Sequence, residues 1–143
     1  EFARDVLGMA GANSTEFAPD SPFPVIDLMP DQHGVVMGGT MRLGAYPCRI
    51  VPGSLMERAY GEPLIQERHR HRYEFNNRFR EEMQSAGMAI VGTSPDEHLV
   101  EAVELPAHRF FIGVQFHPEF KSRPNHAHPI FREFVAASLA ARQ

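Results

Sequence analysis

The chain has 143 residues, 43% of them hydrophobic and 22% charged, which is enough for one soluble domain with its own core. A formal charge of −4 with both signs interspersed excludes the basic footprint of a nucleic-acid or anionic-membrane partner, and no apolar run reaches the ~18 residues of a membrane span. The single cysteine, Cys48, excludes an intrachain disulfide; with no visible signal peptide, it predicts a reducing, cytoplasmic setting.

Phe2, Val6 and Met9 recur at helical spacing, so residues 2–9 are predicted helical, stopping at Gly8 to Gly11. No initiator methionine and no cap precede them, and the expectation is that the chain is a piece of something longer, entered partway along a helix. Residues 12–24 are rich in Pro, Ser, Asn and Asp and predict a loop. Residues 25–29 predict a short strand, 30–34 a turn, and the glycines of 38–44 a tight bend. Residues 46–51 predict a strand, and Ser54 caps a helix that runs to Tyr60. A strand over 64–67 leads into Arg68-His-Arg-His-Arg72. Asn76 or Asn77 caps a helix to about Ala86, closed by Gly87. Three strands follow, over 88–93, 99–105 and 109–116, and the second of the turns between them contains Pro106. Pro129 opens a last helix whose stripe of Ile130, Phe131, Phe134, Val135, Ser138 and Leu139 is expected to pack on the sheet. Mixed helices and closely spaced strands predict an α/β layer fold with an antiparallel portion, as one domain over 1–143.

The chemistry concentrates where the apolar run 110–114 stops at His117-Pro118-Glu119. Proline cannot donate to a sheet ladder and pushes the residue before it to extended geometry. If that geometry continues across Pro118, His117 and Glu119 point to one side, and the carboxylate holds one imidazole nitrogen. That is two thirds of a nucleophile–base–orienter triad; the plainer reading is a strand end with a solvated His and Glu. Arg68-His-Arg-His-Arg72 reads either as a fork for a substrate carboxylate or as a charged edge strand. His69, His71, His126 and His128 invite a metal, without a cysteine cluster or clean helical spacing to support one. Ser14-Thr-Glu16 closes a turn, or Glu16 accepts an ammonium. Gly38-Gly39 is a turn rather than a phosphate cradle. Cys48 lacks the small residues two before and two after it that a strained nucleophile elbow needs, so it is expected to be a buried core residue.

Taken together these stretches resemble the class I glutamine amidotransferases. Val114-Gln-Phe-His-Pro-Glu119 is similar to the family's His-x-Glu element. Gly38-Gly-Thr-Met-Arg-Leu-Gly44, Glu67-Arg-His-Arg-His-Arg-Tyr73 and Ala12-Asn-Ser-Thr-Glu-Phe17 narrow the resemblance to the C-terminal amidotransferase domain of the CTP synthase family, over essentially the whole chain. The resemblance implies a three-layer α/β fold with a central mixed sheet, of which this chain is the C-terminal part. It implies His117 and Glu119 as catalytic residues and Glu16 and Arg72 as the pair that binds L-glutamine. No metal or cofactor is implied in this domain; ATP and magnesium belong to a synthetase domain, the partner that receives the ammonia and aminates UTP to CTP, in a homotetramer.

Two departures stand out. The family's nucleophilic cysteine lies on a Gly-x-Cys-x-Gly elbow that is not in this chain, so the segment alone is expected not to hydrolyse glutamine. The connection from Asp31 to Gly38 is shorter than usual for the family. A non-catalytic amidotransferase-like binding module and a His-rich metal-dependent hydrolase are the alternative readings.

Overall fold

Two sheets organise the chain in the computed structural model, which describes residues 1–28 and 41–141. The larger runs β4 (Leu64–His71), β3 (Arg42–Ile50), β6 (Ala89–Thr93), β7 (Val100–Glu104), β8 (Ile112–Val114), with every described pairing antiparallel. The smaller runs β1 (Asn13–Ser14), β2 (Pro24–Leu28), β5 (Tyr73–Phe75); β1 is parallel to β2, and β2 antiparallel to β5. The chain leaves one sheet for the other between His71 and Tyr73, so Arg72 is the corner residue.

Helices cover both faces of the larger sheet, as alternation along β7 shows. Ala102 joins a core of Cys48, Ile50, Met56, Ile65, Val91, Phe116 and Ile130, which takes in α2 (Leu55–Tyr60) and the start of α4 (Pro129–Ala140). Its neighbour Val103 points the other way, against Ala3, Phe79, Met83 and Met88, where α1 (Phe2–Asp5) and α3 (Arg80–Ser85) pack. That is the expected three-layer arrangement.

Local signals explain most element ends. Ser54 sits at extended dihedrals and its side chain accepts from Glu57 N at 3.0 Å, while Gly61 closes α2 in the left-handed region at φ 72°. The remaining donors of that helix start are taken from across the fold: Glu104 of β7 accepts from Leu55 N at 3.1 Å and Met56 N at 2.7 Å. Asn76 caps a 3-10 turn, Asn77–Phe79, that leads into α3.

Several expectations are corrected. The first helix is shorter than 2–9, and the 12–24 loop contains β1. Strand β4 does not stop at Glu67 but runs through His71, and Arg42 to Gly44, expected in a bend, are the start of β3. In α4 only Ile130 is buried; Phe134, Val135 and Leu139 are 55%, 54% and 59% exposed, so the stripe does not lie on the sheet. The helix is held at its N-terminal end instead, where Arg132 Nη2 donates to Ala59 O at 3.0 Å and Phe134 meets Phe110. The turn at 30–34, the Gly38-Gly39 pair and the short 31–38 connection lie outside the described residues.

Cys48 is fully buried between β4 and β6, and desolvation pushes its thiol up to about 12. Iodoacetamide is therefore expected to leave it unmodified in native buffer and to alkylate it in guanidinium, as read by mass spectrometry. Fast labelling of the folded chain would contradict this placement.

Candidate active site

Strand β4 lies at an edge of its sheet, and the chain segment around His117 closes on that edge. His117 N donates to Arg68 O at 2.8 Å. Its φ of −111° and ψ of 90° are the extended geometry demanded before a proline. Extended geometry does not continue, however: Pro118–Phe120 forms a 3-10 turn, with Phe120 N donating to His117 O at 3.2 Å. Glu119 thus returns over His117 by a turn rather than by strand alternation. The two side chains still meet, Nδ1 to Oε1 at 2.7 Å. The hydrogen bond from His117 holds the Glu119 carboxyl below its ordinary value. His117 stacks on Phe120 at 5.1 Å between ring centroids. Both side chains remain open to solvent, at 37% and 56% exposure, so a visitor can reach the ring. With Nδ1 committed to Glu119, Nε2 is the nitrogen left for a reacting group.

The turn is anchored at its far end as well. Lys121 Nζ donates to Gln66 O at 2.7 Å and to Glu67 Oε1 at 3.1 Å. Glu67 is fully buried and also accepts from Tyr60 Oη at 3.0 Å. His128 Nδ1 accepts from Ile130 N at 3.3 Å as the cap of α4, so its Nε2 carries the proton and donates to Glu67 at 3.2 Å. Burial pushes the Glu67 carboxyl up, but the donors from His128 and Lys121 outweigh it and hold it below its ordinary value.

Glu16 and Arg72 come to the same end of the smaller sheet. Glu16 follows the C-terminal end of β1, which runs parallel to β2; Arg72 precedes β5, whose Tyr73 pairs with Leu28 at the C-terminal end of β2. Glu16 is exposed, and its backbone N–H bonds to Ser14 Oγ at 3.2 Å. Beside it Thr15 Oγ1 donates to Asp27 at 2.7 Å.

Behind the corner lies a buried polar group that the sequence did not announce. Arg42 forks onto Glu101 at 2.7 and 3.0 Å and reaches Glu74 at 3.5 Å. His69 Nδ1 meets His71 Nε2 at 2.7 Å, and His71 Nδ1 meets Tyr73 O at 3.1 Å. A carbonyl only accepts, so His71 is protonated on Nδ1 and its Nε2 accepts from His69 Nδ1–H. Burial, with Arg42 close by, depresses His69 to about 3 and His71 to about 4. Burial raises Glu74 to about 7 against the pull of Arg42, and it raises Glu101 as well. The four histidines weighed as metal ligands are divided between this group and the loop before α4. Among the described residues, no three His, Cys, Asp or Glu side chains form a group that could hold a metal.

These shifts set the sign of a pH effect. The depressed histidines contribute stability that is complete above 6.5 and is lost as pH falls towards 3–4. Glu74 acts oppositely: its contribution is present below 4.5 and is lost as pH rises through about 7. Counting His69, His71 and Glu74 alone, the unfolded chain takes up two protons between these limits and the folded chain one; the raised Glu101 carboxyl works against that excess. Through this group stability should therefore fall by at most roughly 1.4 kcal/mol per unit from pH 6.5 to 4.5. Urea midpoints that stay constant across that range would contradict it.

Helices on both faces of an antiparallel sheet, with a histidine–carboxylate pair open at its edge, define an α/β scaffold that carries a candidate base and its orienting acid. The glutamine amidotransferase class-I family matches residues 3–137, and the chain belongs to that family. Similar curated relatives include CTP synthases. That of Rubrobacter xylanophilus is 63% identical over 143 residues, covering 100% of this chain and 26% of the relative. That of Thermomicrobium roseum is 62% identical over 138 residues, covering 96% and 25%. The chain thus spans about a quarter of the length of the curated relatives it matches. Among solved structures, the glutaminase domain of Trypanosoma brucei CTPS with bound acivicin superposes with a TM-score of 0.90. It is 39% identical, over 97% of this chain and 55% of that one.

Proposed function

We propose that this segment is the base-bearing and substrate-holding part of the glutaminase site of a CTP synthase. The contact of 2.7 Å between His117 Nδ1 and Glu119 Oε1 carries the reading. In a thiol-based site, His117 Nε2 takes the proton of a cysteine supplied by polypeptide before residue 1. The thiolate attacks the side-chain amide of L-glutamine. The proton then passes from Nε2 to the leaving nitrogen, and ammonia departs from a thioester. Water, deprotonated by the same nitrogen, releases glutamate. Glu119 fixes the tautomer and balances the imidazolium.

Glu16 and Arg72 suit the amino-acid end of the substrate: a carboxylate for its ammonium and a guanidinium for its carboxylate. Their placement at one end of the smaller sheet supports this. The relatives' length leaves room for a synthetase domain, where ATP and magnesium would serve the amination of UTP to CTP. A homotetrameric, cytoplasmic enzyme fits that reading; among the described residues no helix is long and apolar enough to cross a membrane.

The test is a glutaminase assay on the full-length protein that carries this segment. Glutamate release coupled to CTP formation is expected. A properly folded protein that makes CTP from free ammonia but releases no glutamate would overturn the reading in favour of a non-catalytic module.

A further inference from the structure

We propose that His71 is a positioning residue for Arg72, locking the corner between the two sheets so that the guanidinium is presented to the substrate carboxylate. This rests on the reading of Arg72 given above.

Arg72 is the single residue between β4 and β5. On one side, His71 is the last residue of β4, paired with Arg42; on the other, Tyr73 is the first of β5, paired with Leu28. The hydrogen bond from His71 Nδ1 to Tyr73 O, at 3.1 Å, spans the gap and ties the two neighbours of Arg72 to each other. Fixing both flanking residues fixes the direction of the Arg72 side chain as it leaves the backbone.

The His71 ring cannot turn without breaking a second bond. Its Nε2 accepts from His69 Nδ1 at 2.7 Å, and its Nδ1 edge faces Glu74 Oε1 at 3.5 Å. His69 is itself wedged edge-on between Tyr46 and Phe116, with Glu101 at 3.9 Å from its Nε2. Arg42 joins Glu74 and Glu101 behind both rings. His69, Glu74 and Glu101 are buried around His71, which leaves the ring few alternative partners. The His117–Glu119 pair is anchored further back on the same strand, through Arg68 O and through Lys121 on Gln66 O, and not through the His71–Tyr73 bond. Loosening the corner is therefore expected to act on substrate capture first, because the bond that holds His117 N is to Arg68 O rather than to the corner itself.

The experiment compares His71→Ala, His71→Asn and Arg72→Ala in the full-length protein, with L-glutamine and with L-glutaminamide, which lacks the α-carboxylate. Ammonia-dependent CTP formation checks that each variant is folded. His71→Ala is expected to raise KM for glutamine about tenfold or more with kcat within about twofold, and to leave KM for glutaminamide unchanged. His71→Asn keeps a donor near the place of Nδ1 and is expected to recover most of the loss. An unchanged KM in His71→Ala overturns the proposal, as does a parallel loss with glutaminamide or failure of the Asn variant to recover. If Arg72→Ala also leaves KM unchanged, the assignment of Arg72 itself has failed; if Arg72→Ala raises KM and His71→Ala does not, only the positioning role is wrong.

Discussion

Replacing His117 with alanine is expected to lower kcat for glutamine hydrolysis in the full-length protein by about 10³-fold or more, while CTP formation from free ammonia continues. Glu119 occupies Nδ1 at 2.7 Å, so only Nε2 is placed to take a proton from a thiol and return it to the departing nitrogen. No described neighbour on the turn can substitute: Phe120 is apolar, and Lys121 is engaged by Gln66 O and Glu67. Glu119→Gln should cost less, about 10²-fold, because an amide can hold the ring but does not balance the imidazolium. Steady-state rates with glutamine and with ammonia, measured on the same preparations, read both effects. Robust glutamine turnover by the alanine variant would remove His117 from the mechanism.

The meeting of His117 with Glu119 was legible in the sequence, but not the way the backbone brings it about. A proline announces that pairing stops and that the residue before it is extended. It does not announce whether the chain then continues or turns, and here Pro118 opens a 3-10 turn. The helix starts at Ser54 and Asn76 were legible because capping is local chemistry, satisfied within three residues.

Strand β4 shows where local reading ends. Its composition suggested a basic edge, and Arg68 and Arg70 are exposed there. The alternation also puts Ile65, Glu67 and His69 on the opposite face, where they are buried. That period of two was written in the residues, but a glutamate and a histidine on a core face are intelligible only when their partners are known. Glu67 is met by Tyr60, seven residues back, and by Lys121 and His128, 54 and 61 residues on; His69 bonds His71 on its own strand and packs against Tyr46 and Phe116 from elsewhere in the chain. The stripe of α4 failed for the reverse reason. Apolar residues at helical spacing say that a face wants a partner, not that the sheet supplies it.

Arg42→Met should be among the most destabilising single changes on this chain, costing about 3–5 kcal/mol near neutral pH. Arg42 is 8% exposed and serves two carboxylates, Glu101 at 0% and Glu74 at 3% exposure. Methionine matches the bulk of the stem but offers no donor, so both buried acids lose the guanidinium that pairs with them. They can escape by taking up protons, and burial has already carried Glu74 to about 7 with Arg42 in place. Without the arginine both should titrate higher still, so the penalty should shrink towards pH 5.5 and grow towards pH 8. Adding Glu74→Gln to Arg42→Met removes one of the stranded charges and should recover part of the loss, a coupling that a double-mutant cycle in urea reads directly. A loss below about 1 kcal/mol at pH 8, or a penalty that does not change with pH, would mean that water reaches these carboxylates and that the pairing around Arg42 is not what holds β3, β5 and β7 together.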